Sequence, residues 1–200
     1  MVGKPQKRTK HTRAVILSTA KQLFDSNGYE ATSVDQIAHA AGYAKGTIFS
    51  HFPDKANLLT AVRIEQIETL VAQMLADAQH PPGPDTVQVF LDILNPWLAL
   101  FAKEHDFTHI FLNQADLRGS PWAMRLYEAC CALDNVLEKT ITALIKDNRL
   151  PATISVSMYA QGIQAFFYHV LIGLHSGATA NQSDQQILLR NLLAHWLRTP

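Results

Sequence analysis

The chain has 200 residues, of which 48% are hydrophobic, and it carries equal numbers of acidic and basic side chains. This length suits one domain or a small module joined to a larger one, and the composition excludes a largely disordered chain. The zero net charge hides an asymmetry, because residues 1–63 hold nine Lys/Arg against four Asp/Glu, whereas residues 64–200 hold eight against thirteen. A basic first third on an acidic remainder indicates a nucleic-acid-binding module joined to a part that does not contact nucleic acid.

The N-terminus lacks the apolar run of a secretory signal peptide. The most apolar stretch, residues 162–174, is interrupted by Gln164 and His169, so it falls short of the roughly 18 apolar residues that a membrane span needs. We therefore expect a soluble cytoplasmic protein. Adjacent Cys130 and Cys131 cannot build a disulfide framework, and they are interpreted either as buried reduced thiols or as a redox sensor.

The chain is predicted to begin with a flexible basic arm over residues 1–11, which could contact phosphates. A helix over residues 12–27 follows. It is indicated by apolar residues at helical spacing, namely Ile16, Leu17, Ala20, Leu23 and Phe24. Gly28 ends it.

Two short helices joined by a tight turn are predicted next. Ser33 and Gln36 have the spacing of a capping box, so a helix should begin near Val34 and end at Gly42. A second short helix is predicted from Lys45 to His51, before the helix-breaking Pro53. Residues 12–53 thus form a three-helix domain with a helix-turn-helix, whose second helix can enter a DNA major groove.

Residues 54–200 are predicted to form a larger helical body. A long helix runs from Asp54 to about residue 78 and ends at the HPPGP segment, residues 80–84. Further helices are predicted over residues 85–103, with a kink at Pro96, and over residues 107–116, 121–148, 155–175 and 184–197. No stretch alternates with period two for long enough to predict a strand. The expected fold class is all-α, with about nine helices.

Landmark residues of the first part of the chain resemble the N-terminal signature of the tetracycline-repressor (TetR) family over about residues 13–60. They are Ala20, Leu23, Phe24, Gly28, Tyr29, Thr32, Ser33, Ile37, Ala38, Ala41, Gly42, Gly46, Thr47, Phe49, His51, Phe52, Lys55 and Leu58. The resemblance implies a dimeric transcriptional regulator without enzymatic activity or cofactor. It would most simply be a repressor released from a palindromic double-stranded DNA operator by a small molecule. The alternative is a small-molecule-binding or enzymatic all-α protein whose basic head is only a docking arm.

The predicted DNA contacts lie around the second helix of the motif, whose N-terminal residues would meet base edges, and at the flanking helix ends, which would meet phosphates. They are Thr32, Ser33, Tyr43, Ala44, Lys45, Gly46, Thr47, Phe49, His51 and Lys55. Ala44 stands where the family commonly has a capping Ser, and Phe49 stands where it commonly has Tyr. We therefore expect the contacts to concentrate on Lys45, Thr47, His51 and Lys55.

The resemblance also implies a ligand cavity in the body. Candidate ligand-binding residues are its aromatic and isolated polar side chains, Trp97, Phe101, Phe107, Phe111, Asn113, Trp122, Tyr127, Gln164, Phe166 and His169. Each of them is alternatively a core residue. His105 and His109 have a spacing that could bind a metal, but a structural pair is favoured and no metal is predicted. The last two helices, about residues 155–176 and 184–197, are expected to pair with those of a second copy in a four-helix bundle.

Overall fold

The computed structural model describes residues 4–112 and 121–197, and within them it contains nine α-helices and no strand. The helices are α1 Lys4–Asn27, α2 Val34–Ala41, α3 Lys45–His51, α4 Lys55–Asp77, α5 Thr86–Lys103, α6 His105–Leu112, α7 Pro121–Lys146, α8 Val156–His175 and α9 Gln182–Trp196. The predicted all-α fold class is confirmed.

Helix α1 starts earlier than the sequence pattern indicates. Residues 4–11, expected to be a flexible arm, form its first two turns. Pro5 lies in the first turn, where its missing N–H is tolerated, and no further Pro or Gly interrupts the chain before Gly28. A helix anchored by buried Ile16, Ala20 and Phe24 extends at little further cost into such a segment, because propagation is easier than nucleation.

The helix-turn-helix is built by the caps that its sequence predicts. The Ser33 hydroxyl accepts a hydrogen bond from the Gln36 N–H at 3.2 Å, and the Gln36 side chain accepts one from the Ser33 N–H at 2.7 Å. Gly42 follows α2 in the left-handed region at φ 71°, where a side chain would be strained. Ala44 has the extended backbone of an N-cap of α3 but offers no side-chain acceptor.

Substitutions at the two N-caps, Ser33 and Ala44, should change the free energy of unfolding in opposite directions. Ser33→Ala should lower the free energy of unfolding by about 1 kcal/mol, because an N–H at the start of α2 loses its acceptor. Ala44→Ser should raise it by roughly 0.5–1 kcal/mol, because the backbone at this position already has the N-cap conformation. Urea titration of both variants beside the native protein measures the two shifts. A stabilised S33A or a destabilised A44S would contradict the capping assignment.

The described residues cluster into two compact units. The first contains the residues up to Gln66 together with Ile110–Leu126, and the second contains Ile67–His109 and the residues from Tyr127 onward. The predicted boundary after Pro53 thus lies inside the first unit, because Arg63 of α4 pairs with Asp25 of α1 at 2.8 Å. The core of the first unit includes Ile16, Ala20, Phe24, Ile37, Ala38, Ile48 and Phe52.

An aromatic and cationic cluster completes this first core. The rings of Phe52 and Trp122 stack with their centroids 5.8 Å apart and 24° between their planes. The Arg13 guanidinium lies 5.3 Å from the Trp122 ring and 5.9 Å from the Phe52 ring, and Arg125 lies 5.4 Å from Trp122. The start of α7 is therefore part of the same core as the helix-turn-helix.

The Asp25–Arg63 pair predicts how stability depends on pH. Burial raises the pKa of Asp25, but hydrogen bonds from Lys21 and Arg63 outweigh it and hold the pKa below the ordinary value of 3.8. A lowered folded-state pKa gives stability that is present above the ordinary value and is lost as the pH falls through the folded-state value. Between about pH 5 and pH 3, Asp25→Asn should therefore lose less stability than the native protein in thermal unfolding scans. Parallel curves for the two proteins would contradict this assignment.

In the second unit, α5 packs against α8 and α9, which also pack against each other. Trp97, Phe101 and Phe107 form a buried stack with successive centroid distances of 6.4 and 5.9 Å. The α8–α9 contact is close at Gly162, where an added Cβ would lie 2.9 Å from the Trp196 ring. Gly162 thus faces a ring of its own chain.

Candidate functional site

The predicted DNA-contacting residues all lie in the first unit, on or beside α2, α3 and the start of α4. Five of them are exposed, namely Ser33, Ala44, Lys45, Gly46 and Phe49. Four are half-buried, namely Tyr43, Thr47, His51 and Lys55. Helix α3 follows the left-handed Gly42 and the extended Ala44, and its first two residues, Lys45 and Gly46, are exposed.

Thr32 differs from the other nine because its side chain is fully buried. Its hydroxyl donates to the carbonyl oxygens of Gly28 at 2.7 Å and Leu23 at 3.2 Å. The side chain therefore ties the α1–α2 connection to the end of α1. A phosphate contact by this hydroxyl does not fit its placement.

The two lysines that the sequence favours as DNA contacts already have partners. Lys45 Nζ lies 2.7 Å from Asp35 Oδ2, and the two side chains are 50% and 66% exposed. Such a surface pair contributes only about 0–1 kcal/mol, so a phosphate can replace Asp35 as the partner of Lys45. Lys55 Nζ lies 4.1 Å from the Tyr29 ring centroid, a cation–π contact that orients its ammonium group.

His51 lies at the end of α3, beside Arg13. Burial, together with the positive charge of Arg13, lowers the pKa of His51 below its ordinary value of 6.5. At neutral pH the imidazole is therefore uncharged, and it can offer a hydrogen bond but not a charge. The positive charges around the motif come instead from lysine and arginine side chains.

The predicted ligand-binding residues are distributed over both units. Phe111 and Trp122 belong to the first unit, whereas Trp97, Phe101 and Phe107 form the buried stack of the second. The remaining described candidates lie along α7 and α8. Tyr127 is 65% exposed, Gln164 donates to the Asp134 carboxylate, Phe166 meets the Trp196 ring edge-on, and His169 is exposed. Asn113 lies outside the described residues.

A cavity of about 560 Å³ lies elsewhere in the second unit. It is bounded by the end of α4, the α4–α5 connection, α5 and α7. None of the described ligand candidates lines it, so those candidates stay a prediction. The volume is within the ~300–1,000 Å³ typical of small-molecule sites in proteins.

The other chemistry considered from the sequence finds little support. Burial raises the pKa of Cys130 to about 11, with smaller contributions from Asp134 and Cys131, so its thiol is protonated at neutral pH and a poor redox sensor. Across residues 4–112 and 121–197, no group of three or more His, Cys, Asp or Glu is arranged to hold a metal ion. In the same part of the chain, no helix is both long and apolar enough to span a membrane.

These features define a helix-turn-helix DNA-binding protein with a separate cavity-bearing unit. A family model described as bacterial regulatory proteins of the tetR family matches residues 16–62. The uncharacterized HTH-type transcriptional regulator TtgW of Pseudomonas putida is 31% identical over 109 residues, covering 54% of this chain and 72% of that protein. The HTH-type transcriptional regulator AcrR of Shigella flexneri is 26% identical over 159 residues, covering 77% and 74% of the two chains.

A solved structure has the same fold along nearly the whole chain. The transcriptional regulator FadR from Bacillus subtilis, in complex with stearoyl-CoA, aligns with a TM-score of 0.64 at 20% identity and covers 92% of this chain and 97% of that one. The family model and the similarity to TtgW show that this chain belongs to the TetR family of bacterial transcriptional regulators. The resemblance predicted from the sequence is confirmed.

Sequence reasoning missed several residues that shape the site. Asp35, which pairs with Lys45, is visible only as an acidic residue in the first turn of α2. Arg13 and Arg63 carry no local signal of their contacts, because their partners are distant in the chain. Pro96 is different, because a proline inside an apolar helix is unusual and is visible in the sequence. The structure places it on the cavity wall.

Proposed function

We propose that this protein is a homodimeric repressor that binds a palindromic operator and is released by a small molecule bound in the second-unit cavity. The observation that carries the proposal is the exposed N-terminal end of α3, with Lys45 at its first position, on a chain that also contains a cavity of about 560 Å³. A cytoplasmic location accords with DNA binding. The stearoyl-CoA complex of the Bacillus subtilis FadR supports a ligand-binding role for a protein of this fold.

The proposed DNA contacts follow from exposure and charge. Lys45 and Thr47 would reach base edges or phosphates from the first turn of α3, while Gly46 lets the backbone approach closely. Ser33 and Lys55 would hold phosphates at the starts of α2 and α4. Tyr43, Ala44, Phe49 and His51 would complete the surface through van der Waals contacts and neutral hydrogen bonds.

The proposed dimer surface is formed by α8 and α9. Three large apolar side chains are exposed there, Met158 at 53%, Ile172 at 50% and Ile187 at 57%. Ala165 on α8 is also exposed, so a second copy can approach it closely. A two-fold pair would place two copies of α3 so that they read half-sites one helical turn, about 34 Å, apart or a multiple of it.

Release requires the ligand to bind one conformation of the dimer more tightly than the other. Helices α4 and α7 are the proposed couplers, because each supplies residues both to the first unit and to the cavity. Helix α4 contributes Arg63 to the first core and Met74 to the cavity wall. Helix α7 contributes Trp122 to the first core and Val136 to the cavity wall.

Selection of the full-length protein against random duplex DNA tests this function. We expect enrichment of an inverted repeat, together with a molar mass in light scattering that corresponds to two chains. Enrichment of a single unrepeated site, or a monomer at the binding concentration, would contradict the proposed repressor. Failure to enrich any DNA would favour the alternative of a small-molecule-binding or enzymatic protein.

A further inference from the structure

The cavity of the second unit has a predominantly apolar wall. Helices α4, α5 and α7 each supply aliphatic or thioether side chains to it, namely Leu70, Met74, Val89, Ile93, Val136 and Ala143. Burial of an apolar body against such a wall stabilises a complex by about 25 cal/mol for each Å² removed from water, but it does not choose among headgroups. The polar groups of the lining must therefore decide the class of ligand.

Two carboxylates lie on the lining without a cationic partner. Asp77 accepts a hydrogen bond from the Gln73 amide at 2.9 Å, and Asp92 accepts one from the Gln88 amide at 2.6 Å. Neither carboxylate forms an ion pair with the part of the chain that the structure describes. Arg190 is nearby but donates to Gln88 and not to Asp92. Both negative charges thus stay available to a ligand.

Pro96, on the same wall, changes the backbone hydrogen bonding of α5. An α-helix pairs the N–H of residue 96 with the carbonyl of residue 92, but proline has no N–H to donate. Asp92 and Pro96 both line the cavity, one turn apart on α5. The Asp92 backbone carbonyl therefore lacks its usual helical donor.

The opposite charge is less abundant on this lining. Lys139 is its one permanent cation, and His80 is its other basic side chain. Lys139 is exposed and has no ion-pair partner among the described residues, so it could hold a carboxylate. The two unneutralised carboxylates of Asp77 and Asp92 outweigh this single ammonium group.

We propose that the cavity binds an organic cation with an apolar body, such as an alkylammonium compound. Its ammonium group would donate to the Asp77 and Asp92 acceptors while its alkyl part packs on the aliphatic wall. The inference rests on the proposed function only for the consequence of binding, namely release of DNA. Binding itself can be measured without DNA.

Three probes with eight carbon atoms each test the headgroup. Octylammonium, octanol and octanoate are titrated into the full-length protein by calorimetry at neutral pH, where the first is cationic and the last anionic. We expect octylammonium to bind most tightly and octanoate most weakly. Octanoate binding as tightly as octylammonium, or no measurable binding of any probe, would overturn the inference.

Variants locate the binding and exclude a general charge effect. Asp77→Asn/Asp92→Asn should weaken octylammonium binding about fivefold and leave octanol unchanged, since two exposed charge pairs are lost. Glu128→Gln/Asp147→Asn removes the same charge from exposed positions of the second unit outside the cavity. This control should leave the affinities for octylammonium and octanol unchanged. Ala143→Phe should weaken the binding of all three probes, because the larger side chain fills part of the cavity. An unaffected octylammonium affinity in the Asp77/Asp92 variant would overturn the assignment.

DNA affinity is measured on the same samples, both without probe and with octylammonium present. If the native protein does not bind DNA, the proposed function is contradicted, but the preference for a cationic headgroup still stands. Tight octylammonium binding that does not lower DNA affinity would support the ligand class and contradict its role as the releasing molecule. The two proposals therefore fail through different measurements.

Discussion

Replacing Lys45 and Lys55 together by alanine is expected to weaken binding of duplex DNA by about tenfold per protomer, as two phosphate contacts of modest energy are lost. The slope of log K against log salt should fall in magnitude by about 1.8 per protomer, because each neutralised phosphate contributes roughly 0.9. Fluorescence anisotropy with labelled DNA over a salt series measures both quantities. The exposed ion pair between Lys45 and Asp35 is weak, so Lys45 can leave Asp35 for a phosphate. Removing Lys45 should therefore show its full effect on DNA affinity.

The matched control removes the same charge from the other unit. Lys103→Ala/Lys146→Ala changes two exposed lysines of the second unit and should leave the salt slope unchanged. Equal effects of the two double variants would mean that net charge, and not the helix-turn-helix, governs DNA binding. An unchanged affinity in the Lys45/Lys55 variant would refute the proposed interface.

The Trp122→Ala substitution should destabilise the DNA-binding unit by about 3–5 kcal/mol, the usual cost of deleting a large buried aromatic ring. Trp122 is only 4% exposed, stacks on Phe52 and lies beneath Arg13. Loss of the ring leaves a void under the end of α3, so DNA affinity should fall along with the melting temperature. Thermal unfolding followed by circular dichroism, with DNA binding measured below the transition, tests both effects.

A conservative variant separates packing from a ligand-contacting role. Trp122→Phe should keep most stability and DNA affinity, because the ring stack is retained and the buried indole N–H has no hydrogen-bond partner among the described residues. If Trp122 were instead a ligand contact, Trp122→Ala would abolish octylammonium binding and leave DNA affinity intact. That result would contradict the assignment of Trp122 to the first core.

The helix-turn-helix could be predicted closely because its determinants are local. Ser33 and Gln36 are three residues apart, and Gly42 needs only its own backbone freedom to end α2. The absence of a cap at Ala44 was equally visible in the sequence and is seen in the structure. The extent of α1 was not predicted, since basic residues without an apolar stripe suit both an arm and a helix end.

The ligand-binding candidates show where sequence patterns fail. An aromatic residue at helical spacing is apolar enough for a core and for a pocket, and its local sequence does not distinguish them. Trp97, Phe101 and Phe107 pack on one another, whereas Trp122 pairs with Phe52, seventy positions away along the chain. A cavity is a void left by three separate helices, so no single stretch of sequence encodes it.

The all-α class, the capped helix-turn-helix, the basic character of that unit and the family could all be predicted from the sequence. Each of these depends on residues within a few turns of one another or on composition. Three features became visible only in the folded chain: the buried hydrogen bonds of Thr32, the place of Trp122 in the DNA-binding unit and the cavity beside Pro96. The physical reason is that hydrogen bonds of caps and turns close over three to five residues, whereas packing joins side chains that chain order keeps apart.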